Sequence, residues 1–153
     1  MSQTAPTSFA ETEAALTLYV QQSAWLNTIP EKHKQPRRAT RGDQLPPLAF
    51  GLHLIEILFE IGPVKPAGMG GTLAIDEQDV YAWQCNQDIA LSAWEARTLR
   101  RLSREYSYML TQASEPSCPA PYVPEEYINA ERRKKIADAM SGWADKLNEQ
   151  RKR

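Results

Sequence analysis

Between Leu48 and Ile61 the chain runs almost unbroken through aliphatic and aromatic residues, and this stretch limits what the rest can fold into. His53, Glu56 and Glu60 interrupt it, so it is too short and too polar to span a bilayer, which takes about 20 apolar residues. It reads as a buried helix. At about 100° per residue Leu48, Leu52, Ile55 and Phe59 share one side and Phe50, Leu54, Ile57 and Ile61 cover most of the other, which leaves His53, Glu56 and Glu60 as a narrow wet strip. Pro46 and Pro47 fit a first helical turn, and Gly62-Pro63 stops the helix.

A chain of 153 residues is the size of one domain and can bury about 70% of its unfolded surface, enough for a core without metals or disulfides. With 42% hydrophobic and 24% charged residues it is neither wholly disordered, collagen-like nor a bare coiled coil. Its 18 Lys and Arg against 19 Asp and Glu give a net charge of −1, so any attraction to nucleic acid or anionic lipid has to be local. Cys85 and Cys118 are too few for a disulfide framework and lack zinc-site spacing, and they read as reduced thiols. Residues 1–7 read as a disordered N-terminus. The run from Met1 to Pro6 lacks the basic start and apolar core of a signal peptide, and Glu11 and Glu13 argue against a transit peptide. The expectation is a cytoplasmic protein with no membrane association.

The remaining patterns are helical. Residues 8–113 read as one helical domain, opening with a helix from Ser8 to Asn27 whose periodicity is diffuse. A basic loop follows at 29–43, in which Lys32, Lys34, Arg37, Arg38 and Arg41 against Glu31 and Asp43 leave five charges against two, net +3. The Gly-rich loop at 62–75 centres on Gly68, Met69 and Gly70, where glycine permits φ > 0, and Gly71 to Ile75 is at most a short extended piece. Asp76 and Asp79 start a short helix that ends near Asn86, and Ser92-Ala93-Trp94-Glu95 is a capping box that opens a long helix to about Ala113. In that helix Leu99, Leu102, Tyr106, Met109 and Leu110 face one way and Arg97, Arg100, Arg101 and Arg104 the other. Residues 114–124 carry four prolines and read as an extended linker. A C-terminal amphipathic helix occupies 125–153, acidic at Glu125 and Glu126 and basic at Arg151, Lys152 and Arg153, as the helix dipole prefers. Its stripe of Ile136, Met140, Trp143 and Leu147 has the 4-3-4 spacing of a seam for one other helix. The class is all-α, a small bundle of about four helices with a Pro-rich linker to a C-terminal helix.

Catalytic material is sparse. His53, Glu56 and Glu60 share the polar strip of the apolar helix, but a di-metal bundle needs that motif twice, and no second copy is in register. No catalytic residue, metal or cofactor is assigned. The Gly-rich loop has no Lys-Ser/Thr after it and reads as a tight structural turn rather than a phosphate cradle. Arg97, Arg100, Arg101 and Arg104 could lie along phosphates or face an acidic partner, with a solvated or salt-bridged face as the bland alternative. A helix-turn-helix would join the 76–86 and 92–113 helices, although Trp94 stands where base-edge donors are needed. Trp83 and Trp94 read as core anchors. Trp143, on the narrow stripe beyond the prolines, suits docking to a partner or folding back on the chain itself.

From Gly62 to Tyr122 the order is Gly68-Met69-Gly70, an Asp-led helix with Ala82-Trp83, and a second helix opened by Leu91-Ser92-Ala93-Trp94-Glu95-Ala96-Arg97. Leu99, Leu102-Ser103-Arg104-Glu105-Tyr106 and Pro116-Ser117-Cys118-Pro119-Ala120-Pro121-Tyr122 complete it. This segment resembles the tail assembly chaperones of long-tailed bacteriophages and prophages. The resemblance implies a small, mostly helical, non-enzymatic protein that binds the tape-measure protein, recruits tail tube subunits and is absent from the finished virion. Such proteins often occur as a short form and a frameshifted longer one, and the family brings no catalytic residues.

The expected function is therefore a tail assembly chaperone whose partner-binding residues are Ile136, Met140, Trp143 and Leu147, with self-association open. The alternative is a small helical DNA-binding regulator or DNA-packaging accessory protein using Arg97, Arg100, Arg101 and Arg104.

Overall fold

The computed structural model describes residues 8 to 151, so the expected disorder of residues 1–7 and the basic end at Lys152 and Arg153 lie outside the described residues. Among the described residues the protein is mostly all-α. Six helices, α1 (Phe9–Asn27), α2 (Arg38–Arg41), α3 (Leu52–Ile61), α4 (Glu77–Gln87), α5 (Ala93–Ala113) and α6 (Glu125–Arg151), accompany one small antiparallel pair, β1 (Lys65–Pro66) and β2 (Thr72–Leu73). The chain divides between Tyr122 and Val123 into a body and a unit formed by α6.

The body is built on α5. Its residues Leu99, Leu102, Tyr106 and Ala113 recur at helical spacing and are all buried, and α1, α3, α4 and β2 each pack against it. Leu16, Val20, Leu54, Ile55, Leu58, Ile75 and Val80 complete the main core, and a second cluster gathers Trp25, Leu26 and Ala113. Ser92 and Glu95 form the reciprocal capping box at the start of α5, and Asp76 and Asp79 form one at the start of α4.

The apolar stretch folds differently from its sequence reading. The helix begins at Leu52, so Pro46 and Pro47 precede it, and only Leu54, Ile55 and Leu58 are buried on it, while Phe50, Leu52 and Phe59 are exposed. Gly51 explains the late start. It holds φ at +85°, and a Cβ there would come within 2.9 Å of the fully buried Leu16 side chain, so the chain turns where α3 meets α1. The diffuse periodicity of α1 also has a cause: every residue from Gln22 to Leu26 is buried, because α5 packs on the helix while Leu45, Cys118 and Ala120 from the loops close over its last turns.

The Gly-rich loop is a hairpin turn, with Lys65 opposite Leu73 and Pro66 opposite Thr72, and Gly68, Met69 and Gly70 all take positive φ at its tip. Ser103 fastens the hairpin to α5 by donating to the Pro63 carbonyl (2.7 Å) and accepting from the Ile75 N–H (2.8 Å). One further expectation, that of the linker, is corrected. The prolines of 114–124 do not leave a free tether along that whole length. The Trp25 indole N–H donates to the Cys118 carbonyl (2.9 Å), and the Tyr122 N–H donates to Gln22 Oε1 (3.1 Å), so the segment up to Tyr122 is held to the body.

Candidate interaction surfaces

Because α5 turns its apolar residues inward, its arginines are left on the outer side. Arg97, Arg100, Arg101 and Arg104 line one cleft of about 340 Å³ together with Glu13, Trp94 and Thr98. Arg101 pairs with Glu13 at 2.8 Å and Arg100 with Glu77 at 2.9 Å. Among the described residues Arg97 and Arg104 have no carboxylate within ion-pair distance, and both are exposed. Glu13 also accepts the Trp94 indole N–H at 2.9 Å, and its bonds from Arg101 and Trp94 hold its pKa below the ordinary carboxylate value.

A recognition helix presents hydrogen-bond donors to base edges from its N-terminal half. At the start of α5 that place is held by Trp94, whose indole N–H donates to Glu13 and whose ring lies 5.3 Å from that of Phe9. The helix is also the packing axis of the core.

Trp83 is buried, and among the described residues its indole N–H has no acceptor; Trp94 is half-buried and packs against the main core. Gly68, Met69 and Gly70 form the hairpin tip, where Met69 is fully exposed. His53, Glu56 and Glu60 do not converge: His53 Nε2 is 3.1 Å from Glu95 Oε1, and Glu60 accepts from Gln87 at 3.3 Å. Among the described residues no group of three His, Cys, Asp or Glu side chains could hold a metal. The bond from the Ser92 N–H, and after it His53, holds the Glu95 carboxylate below its ordinary pKa.

Ile136, Met140, Trp143 and Leu147 lie on α6, and all four are exposed. None of the described helices is long and apolar enough to cross a membrane.

The basic loop is only partly a solvated patch. Arg37 is buried, donating to the Ala113 carbonyl (2.6 Å) and the Glu115 carbonyl (2.9 Å), and its guanidinium lies 4.7 Å from the Trp25 ring centroid. It neutralises the negative end of α5 where the last carbonyls lack intrahelical partners. Arg38 pairs with Asp43 and donates to Asn27. The structural role of Arg37 and the cleft role of Glu13 have no local signal, since apart from Trp25, 12 residues before Arg37, the side-chain partners named here are 76 to 88 residues away in sequence. A buried amide is similarly silent in the sequence: Gln22 donates to the Gln44 carbonyl (2.9 Å) while accepting from Tyr122.

No protein-family model, curated protein or solved structure matches this chain.

Proposed function

We propose that the chain is a non-enzymatic tail assembly chaperone of a phage or prophage, acting in the cytoplasm of the host on the tape-measure protein and tail tube subunits. The observation that carries this reading is the seam on α6, where Ile136, Met140, Trp143 and Leu147 are 60, 66, 67 and 41% exposed. Four large apolar side chains on one helical stripe are costly to leave in water, at about 25 cal/mol per Å² of apolar surface, and a helix-in-groove contact relieves that cost. The resemblance between Gly62 and Tyr122 supports the same reading from a separate part of the chain.

The physical task follows from those features. A long helical tape-measure chain exposes apolar stripes before tube subunits surround it, and covering them calls for contacts that form and exchange without chemistry. A seam of four side chains on one helix is of that size. Replacing Met140 and Trp143 together by alanine is expected to weaken partner binding by at least about tenfold, since aromatic anchors dominate such contacts. The helical circular dichroism signal should stay. Translating the DNA on either side of the gene provides the partners: a tube-like frame and a very long helix-patterned frame are expected, and unrelated neighbours would overturn the assignment.

A further inference from the structure

The body carries a second surface, on elements other than α6, that combines charge with an apolar recess. Along α5 the spacing of Arg97, Arg100, Arg101 and Arg104 makes a single stripe about 10 Å long, at about 1.5 Å per residue. Glu13 and Glu77 occupy two of the four guanidiniums, and the cleft keeps two positive charges in excess at Arg97 and Arg104. The Nε–H groups of Arg100 and Arg101 are shielded from water, and among the described residues they have no acceptor. On the far side of Trp94 opens an apolar recess of about 500 Å³, walled by Phe9, Phe50, His53 and Trp94 itself. Phe9 is 72% exposed and Phe50 52%, so its aromatic wall is uncovered.

We propose that this recess and cleft together dock an acidic amphipathic segment of a protein partner. An apolar side chain of the segment enters between Phe9, Phe50 and Trp94, and carboxylates spread over the next two helical turns pair with Arg97 and Arg104. Charge complementarity selects the occupant. The cleft already binds carboxylates of its own chain, Glu13 bridging Arg101 and the Trp94 indole N–H, so its donors are spaced for that group. Duplex DNA fits less well, because the charge lies inside a concave cleft beside an apolar wall instead of along an open polar face. This inference concerns the body and stands whatever α6 binds.

The probe is a labelled synthetic peptide of about 15 residues with one phenylalanine and glutamates three, four and seven positions beyond it, so that all share one helical face. Fluorescence anisotropy with the full chain is expected to show saturable binding that weakens as salt rises from about 20 to 200 mM. The same peptide with glutamine for glutamate should bind at least about tenfold more weakly, as should the Arg97→Glu, Arg104→Glu double variant. Those two arginines are exposed and make no ion pair, so that variant folds, which circular dichroism checks. Phe9→Ala should cost about tenfold through the recess alone. Absence of binding at low salt by the folded protein overturns the proposal, as does binding indifferent to the arginine reversals. Tighter binding of a single-stranded oligothymidine or a DNA duplex than of the peptide would overturn it in favour of nucleic acid.

Discussion

Arg37 shows how much one side chain settles here. A guanidinium with several fixed donors can reach two carbonyls at once, and Arg37 spans from the end of α5 at Ala113 to Glu115 in the following turn while lying over Trp25. Replacing it with methionine keeps the aliphatic stem but takes the side-chain donor from the Ala113 carbonyl and leaves the Glu115 carbonyl only the Cys118 N–H, and should destabilise the body by about 2–4 kcal/mol, read as a lower urea midpoint. Arg37→Lys should recover only part of that loss, because one ammonium cannot hold both acceptors. Such a residue is illegible in sequence. Arg37 sits among Lys32, Lys34, Arg38 and Arg41 with nothing to mark it as the buried one, because its partners arrive from the other end of the body.

At the scale of elements the sequence was clearest where the signal is local. The capping boxes at Asp76 and Ser92 mark where α4 and α5 begin, since both partners of each bond lie within one turn. The start of α3 is not legible for the opposite reason: Gly51 acts through the Leu16 side chain, and no pattern within the stretch reports that contact. The α4 start also makes a pH prediction. Lys65 on β1 bonds both Asp76 (2.8 Å) and Asp79 (2.7 Å), and the Lys65 bond, followed by the Asp79 and Gln78 backbone N–H bonds, holds Asp76 at about 2 instead of the ordinary 3.8. The unfolded chain therefore takes up a proton at higher pH than the folded one, so this contribution is complete above about pH 4 and is lost as pH falls toward 2. Glu13 and Glu95, also lowered, add losses of the same sign below the ordinary glutamate value. Asp76→Asn keeps an oxygen for the cap but has no charge to lose. Its melting temperature should fall less steeply than that of the wild type between pH 4 and pH 2, and an unchanged slope would place the acid sensitivity elsewhere.

For the whole molecule, the chain has two units, and the body closes its core without α6. Both core clusters draw only on residues between Leu16 and Ala120, so ending the chain after Tyr122 should leave the melting temperature of the body within about 3 °C, less than the shift from about 1 kcal/mol. A large drop would mean that α6 contributes to the body. The all-α class was legible because α5 and α6 carry helical spacing over many turns, whereas the Arg97 to Arg104 face read as a stripe without its counter-ions, since Glu13 comes from a distant helix. In the function proposed above, the exposed seam on α6 makes the partner contact. The most direct measurement is calorimetric titration of the full chain into a purified tape-measure protein, the partner that the proposed function expects to find encoded beside it, with the Met140→Ala, Trp143→Ala variant alongside. Saturable binding with a negative heat-capacity change, lost in the variant, is the predicted result. No binding, or binding that the variant leaves unchanged, would contradict a chaperone that works through α6.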